Sequence, residues 1–144
     1  MPAYLLDVNV LIALVDPAHV QHDAAHEWFA RQGHKAWATC PLTENGLVRL
    51  VGHPRYPSSL GTPAAAMPLL TALRALPGHV FWPDDISLAD AERIDASRLL
   101  SAGQVTDSYL LALAHAHEGK LASFDRRLVT SAVPGGAQHL HLIG

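Results

Sequence analysis

Ala3-Tyr4-Leu5-Leu6-Asp7-Val8-Asn9-Val10-Leu11-Ile12-Ala13-Leu14 is the stretch on which the fold turns. Ala3 to Leu6 form a short apolar run that reads as a strand. Val8 to Leu14, by length and continuity, read as a buried helix. The two meet at Asp7, and only Asn9 relieves the apolar run that follows. A carboxylate in such a setting costs several kcal/mol unless a cation or a rich set of hydrogen bonds compensates it. No lysine or arginine occurs before Arg31, so the local sequence offers no partner.

Outward from there, short apolar runs alternate with helical patterns. Asp16-Pro17 reads as a helix stop and a new N-cap with proline at the first position. Ala25, Trp28 and Phe29 give the next helix one apolar face, ending near Gly33. Ala36-Trp37-Ala38-Thr39-Cys40 is a second predicted strand, which Pro41 cannot extend. A helix follows with Leu47, Leu50 and Val51 on one face, then a turn-rich connection from His53 to Ser59. Thr62-Pro63 opens a helix carrying Leu69, Leu70, Leu73 and Leu76, with Pro68 expected to kink its early turns. Val80-Phe81-Trp82 is a third predicted strand. Ser87-x-x-Asp90 resembles a capping box and predicts a short polar helix. Thr106 is the expected cap of a strongly apolar helix from Asp107 to about His117. Leu121-Ala122-Ser123-Phe124 is a fourth strand running into Asp125, and His139 to Ile143 alternate as a last edge strand. There is no internal repeat and no low-complexity linker. The alternation predicts a single α/β sandwich over residues 1–144, a mostly parallel sheet covered by helices.

Composition bounds the function. A chain of 144 residues is one domain's worth, and at this size folding buries about 68–70% of the unfolded surface without a disulfide or metal staple. With 49% hydrophobic and 16% charged residues it is too apolar for an intrinsically disordered segment. The lone cysteine, Cys40, excludes an intramolecular disulfide framework and fits a reducing cytoplasm. The longest apolar stretch, Ala3 to Val15, is interrupted by Asp7 and Asn9, so no membrane span is expected. Met1-Pro2-Ala3-Tyr4 lacks the basic side chain that a secretory signal would carry. The net charge of −3, with ten histidines taken as neutral, argues against gripping nucleic acid through bulk positive charge. It leaves open reaching phosphates through a bound divalent ion.

Four acids stand where a parallel sheet places ligand sites, beyond the carboxyl ends of its strands. Asp7 ends the first strand, and Asp125 the fourth. Glu44 lies in the first turn of the helix after the second strand. Asp107 opens the helix after Thr106. Two carboxylates about 4 Å apart repel by roughly 4 kcal/mol at an effective dielectric near 20. Four together at neutral pH require raised pKa values or a divalent cation among them. Oxygen-only ligands favour magnesium or manganese over zinc. Asn9 and Ser123, two residues from Asp7 and Asp125, are placed to orient a carboxylate or a water. Each acid also has a plainer reading. Asp7 suits a helix N-cap, Glu44 and Asp107 complement helix dipoles, and Asp125 suits a turn beside Arg126 and Arg127.

The segments Leu5 to Leu14, Pro41-Leu42-Thr43-Glu44-Asn45-Gly46-Leu47, Thr106-Asp107-Ser108-Tyr109-Leu110 and Ser123-Phe124-Asp125-Arg126-Arg127-Leu128 resemble, in order, the four acidic motifs of PIN domains. Within that superfamily the chain is similar to the VapC toxins of bacterial toxin–antitoxin pairs. The resemblance implies a three-layer α/β/α sandwich on a parallel sheet of about five strands. It implies an endoribonuclease that cuts RNA with Mg2+ or Mn2+, one or two ions per site. It also implies a homodimer and a cognate antitoxin that occludes the acidic pocket. By the same resemblance Asp7, Glu44, Asp107 and Asp125 are the catalytic and metal-holding acids, with Asn9 and Ser123 as their polar supports.

Other features compete less well. Asp84 and Asp85 also follow a strand but read as a turn and a cap, and Asp90, Glu92 and Asp95 as a solvated face. His22-x-x-x-His26 has a metal-pair spacing, yet Asp23 stands where the zinc-protease motif needs glutamate. Trp28, Trp37 and Trp82 read as core or dimer seam. A second functional class is a non-catalytic module of the same fold that receives a basic peptide. A third is a phosphotransfer domain, against which stand Asn9, in place of the second acid of Asp-x-Asp, and Lys120, which precedes a strand.

Overall fold

The strand at the amino end spans Tyr4–Leu6 (β1) in the computed structural model, which describes residues 2–144. It lies at the centre of a sheet completed by Trp37–Thr39 (β2), His79–Phe81 (β3), Lys120–Ser123 (β4) and Leu140–Leu142 (β5). The strand order is β3-β2-β1-β4-β5 and every pairing is parallel. Five helices connect the strands: Val8–Val15 (α1), His22–Arg31 (α2), Pro41–Val51 (α3), Pro63–Arg74 (α4) and Gln104–Ala116 (α5).

Adjacent residues of β1 serve opposite faces, as the pleat requires. Leu6 packs with Val10, Trp28, Leu47 and Leu70 from α1 to α4. Leu5 packs with Leu110, Leu111 and Leu113 of α5. The result is the expected three-layer sandwich, four helices on one face and α5 on the other. All three tryptophans are buried in these two cores. No helix among the described residues is long and apolar enough to cross a membrane.

Two features bring the carboxyl edge together. The register sets Leu6 level with Ala122, and the Asp7 N–H donates to the Ala122 carbonyl at 3.0 Å, which carries Asp7 to the side of Ser123. At Gly46 a Cβ would fall 2.8 Å from Val8 Cγ2, so its absence lets α3 close on the start of α1.

Several local expectations are corrected. Asp16 is the C-cap of α1, and α2 begins only at His22. The Asp16 carboxylate accepts the Ala18 N–H and the Tyr56 hydroxyl, holding the connection as a turn. Ser87 and Asp90 start no α-helix. Their side chains accept the N–H groups two residues on, at Ala89 and Glu92, so local turns replace capping. Thr106 lies inside α5, not at its cap, because Gln104 Oε1 accepts the Leu100 and Ser101 N–H groups and moves the helix start to Gln104. Trp82 and Phe124 fall just outside their strands.

Candidate active site

Asp7 is the N-cap of α1, the plain role the sequence allowed it, and its two oxygens are divided. Oδ1 accepts the Val8 N–H at 2.8 Å, and Oδ2 accepts the Ser123 hydroxyl at 2.9 Å. Burial pushes its carboxyl above the usual range. The hydrogen bonds from Ser123 and Val8 oppose that rise, and the charge of Asp125 adds to it. Asp107, in the first turn of α5, is pushed up to about 6 by burial, then by the charges of Asp7 and Asp125. Asp125 is exposed in a turn, accepting the Arg127 N–H at 2.8 Å while its own N–H donates to Ser123 Oγ. It makes no ion pair with Arg126 or Arg127. Among the described residues no lysine or arginine pairs with Asp7, Asp107 or Asp125. Three acids from three separate elements therefore share one field without a basic counter-ion.

Glu44 reaches the same edge differently. It sits in the first turn of α3, which Pro41 opens and Thr43 ties to Cys40, and it is buried. Oε2 accepts the Thr39 hydroxyl at 2.6 Å, and Oε1 faces Arg74 Nη1 at 3.6 Å. Beyond it a groove of about 480 Å3 runs between α3 and α4, walled by Val48, Met67 and Leu70.

Of the two polar supports expected, Ser123 bridges Asp7 and Asp125. Asn9 is exposed and makes no hydrogen bond to either acid among the described residues. Sequence reading missed Thr39, Arg74 and His79. A hydroxyl inside the buried run Trp37-Ala38-Thr39-Cys40 was a usable signal for the first; nothing local marks the other two. Asp85 instead meets His117 at 3.1 Å. His22 and His26 bond the Ala13 and Leu14 carbonyls at the end of α1, each at 2.7 Å, which accounts for their spacing without a metal. The cavity of about 320 Å3 lined by Tyr4, Gln32, Lys35 and Lys120 opens at the opposite edge of the sheet and holds no carboxylate.

Among the described residues no three His, Cys, Asp or Glu side chains are drawn together as a ready metal cage. The donor chemistry nonetheless fits a hard divalent cation. The acids offer only oxygen, and Asp7, Asp107 and Asp125 have no basic side chain paired with them among the described residues.

The PIN domain family model matches residues 4–133, and the chain belongs to that family. Within it the chain is a VapC-type member. It is 48% identical over 137 residues to Ribonuclease VapC44 of Mycobacterium tuberculosis (strain ATCC 25618 / H37Rv), covering 94% of this chain and 96% of the relative. It is 44% identical over 131 residues to Ribonuclease VapC39 of the same strain, covering 91% and 94%. With Ribonuclease VapC29 the identity is 40% over 137 residues, covering 95% and 90%.

Proposed function

We propose that this chain is a divalent-metal-dependent endoribonuclease, the toxin of a type II toxin–antitoxin pair. The observation that carries the reading is the buried Asp7, hydrogen-bonded by Ser123 and Val8 and set beside the charges of Asp107 and Asp125 with no basic partner. The ribonuclease names of relatives matching over nine-tenths of the chain support it.

Asp7, Glu44, Asp107 and Asp125 hold one or two Mg2+ or Mn2+ ions. When bound, such an ion lowers the pKa of water and neutralises charge on a phosphodiester. The protein's part is to fix its oxygens beforehand. Ser123 and the Val8 N–H lock the Asp7 carboxylate, the turn at Asp125 fixes a third acid, and Thr39 orients Glu44. The substrate is RNA, and the chain works in the cytoplasm as a homodimer. A cognate antitoxin segment occludes the acidic edge when cleavage is to be prevented.

The test is cleavage of synthetic RNA by purified wild type and Asp7→Asn with Mg2+ or Mn2+. The wild type should cut, and the variant should lose at least about a hundredfold in rate with its circular dichroism unchanged. Undiminished metal-dependent cleavage by the variant would defeat the reading. A wild type that binds a basic peptide but never cuts RNA would leave the non-catalytic module in its place.

A further inference from the structure

Glu44 differs from the other three acids in facing a basic side chain, and the partners of its two oxygens differ in kind. Thr39 is fully buried at the end of β2, and its hydroxyl has one proton to give. That proton goes to Glu44 Oε2, 2.6 Å away, so at the 2.7 Å contact with His79 Nε2 it is the imidazole that donates. His79 packs edge-on against Trp37, with ring centroids 4.8 Å apart. The chain His79 to Thr39 to Glu44 thus has a defined direction at each link, and it anchors one carboxylate oxygen to two paired strands. Arg74 is the opposite case. It is the last residue of α4, its side chain is 46% exposed, and its guanidinium lies 4.9 Å over the Phe81 ring. At 3.6 Å and half in water, its pairing with Oε1 is weak and easily exchanged.

We propose that Thr39 is the positioning residue for Glu44 and that Arg74 is a replaceable counter-ion. Thr39 fixes Oε2 permanently, while Arg74 occupies Oε1 only until a divalent cation takes that oxygen. The inference rests on the acids being a divalent-cation site, as proposed above. His79 acts one step further back, by directing the Thr39 hydroxyl.

The experiment is calorimetric titration of the metal-free protein with Mn2+, without RNA. Thr39→Val keeps the shape of the side chain and removes its donor. It should weaken Mn2+ binding about tenfold, the size expected for a hydrogen bond to a charged group. Thr39→Ser should restore affinity to within roughly twofold. Arg74→Gln should tighten binding about threefold. In a Glu44→Gln background, neither Thr39→Val nor Arg74→Gln should have any further effect. Should Thr39→Val fail to unfold cooperatively, His79→Phe takes its place, keeping the packing on Trp37 and weakening Mn2+ binding about threefold. Unchanged affinity in Thr39→Val, or an equal loss with and without Glu44, overturns the positioning role. An Arg74→Gln effect of the same size in both backgrounds overturns the counter-ion role. A wild type that takes up no Mn2+ overturns the cation-site reading itself, and is told apart from these outcomes at the first titration.

Discussion

At Asp107 burial acts first, the charges of Asp7 and Asp125 add to it, and the carboxyl titrates at about 6 instead of 3.8. Between those values the folded chain binds more protons than the unfolded one, so stability falls as pH rises through the window. Above about pH 6 the full penalty of ionising the group remains; below about pH 4 it is gone. Asp107→Asn should therefore stabilise the metal-free protein at pH 7.5. With the side chain partly in solvent, the screened gain is about 1 kcal/mol. Urea unfolding in chelator reads it directly, and at pH 4 the gain should vanish. Equal midpoints at pH 7.5 would show that neither burial nor the neighbouring charges penalise the ionised Asp107. Asp7 was legible from its neighbours, because a carboxylate after Leu5-Leu6 with no basic residue nearby needs an explanation. Thr39 was half-legible as a polar residue in a buried strand. Arg74 was not, since its meaning depends on Glu44 and Phe81, which sequence spacing does not bring near it.

Between elements, the contact that matters most to the site is α3 on α1. Gly46, two residues after Glu44, lets the helix close on Val8. Alanine there would gain about 1 kcal/mol of helix propensity. Against that, a Cβ 2.8 Å from a side chain stiff at χ1 costs about 1–3 kcal/mol in overpacking. Overpacking wins, and Gly46→Ala should lower stability by about 1 kcal/mol in urea unfolding. A more stable variant would show that Val8 yields freely. Periodicity found the strands and most helices because apolar spacing alone specifies them. It failed at Ser87-x-x-Asp90 and at Thr106, where side chains had two backbone partners to choose from. Ser87 and Asp90 took the nearer N–H groups, and Gln104 set the start of α5 by closing the loop before it.

Across the whole molecule, acids from three elements share one edge of the sheet, and no basic side chain pairs with Asp7, Asp107 or Asp125 among the described residues. A cation that binds only the folded arrangement stabilises it by mass action, about 2.7 kcal/mol at a hundred times its dissociation constant. For a chain of this length that corresponds to a rise in Tm of roughly 5–10 °C. Saturating Mn2+ should produce that rise in the wild type, and Asp7→Asn combined with Asp107→Asn should abolish it. A melting temperature indifferent to Mn2+ in the wild type would mean that the acids repel without sharing an ion.

By itself the sequence determined the alternation of strands and helices and the parallel sheet, and it singled out Asp7 as a carboxylate needing an explanation. Those follow from apolar periodicity and from the cost of a carboxylate in an apolar run, both readable along the chain. Only the tertiary structure decided how each acid is held. It gave Asp7 to Ser123 through the register of β1 with β4, and Glu44 to Thr39 across the turn from β2 into α3 and to Arg74 through the approach of α4. It also left Asn9 in solvent. The physical reason is that hydrogen bonds and charge pairs act over a few ångströms of space, and spacing in the chain does not fix those distances until strands pair and helices pack.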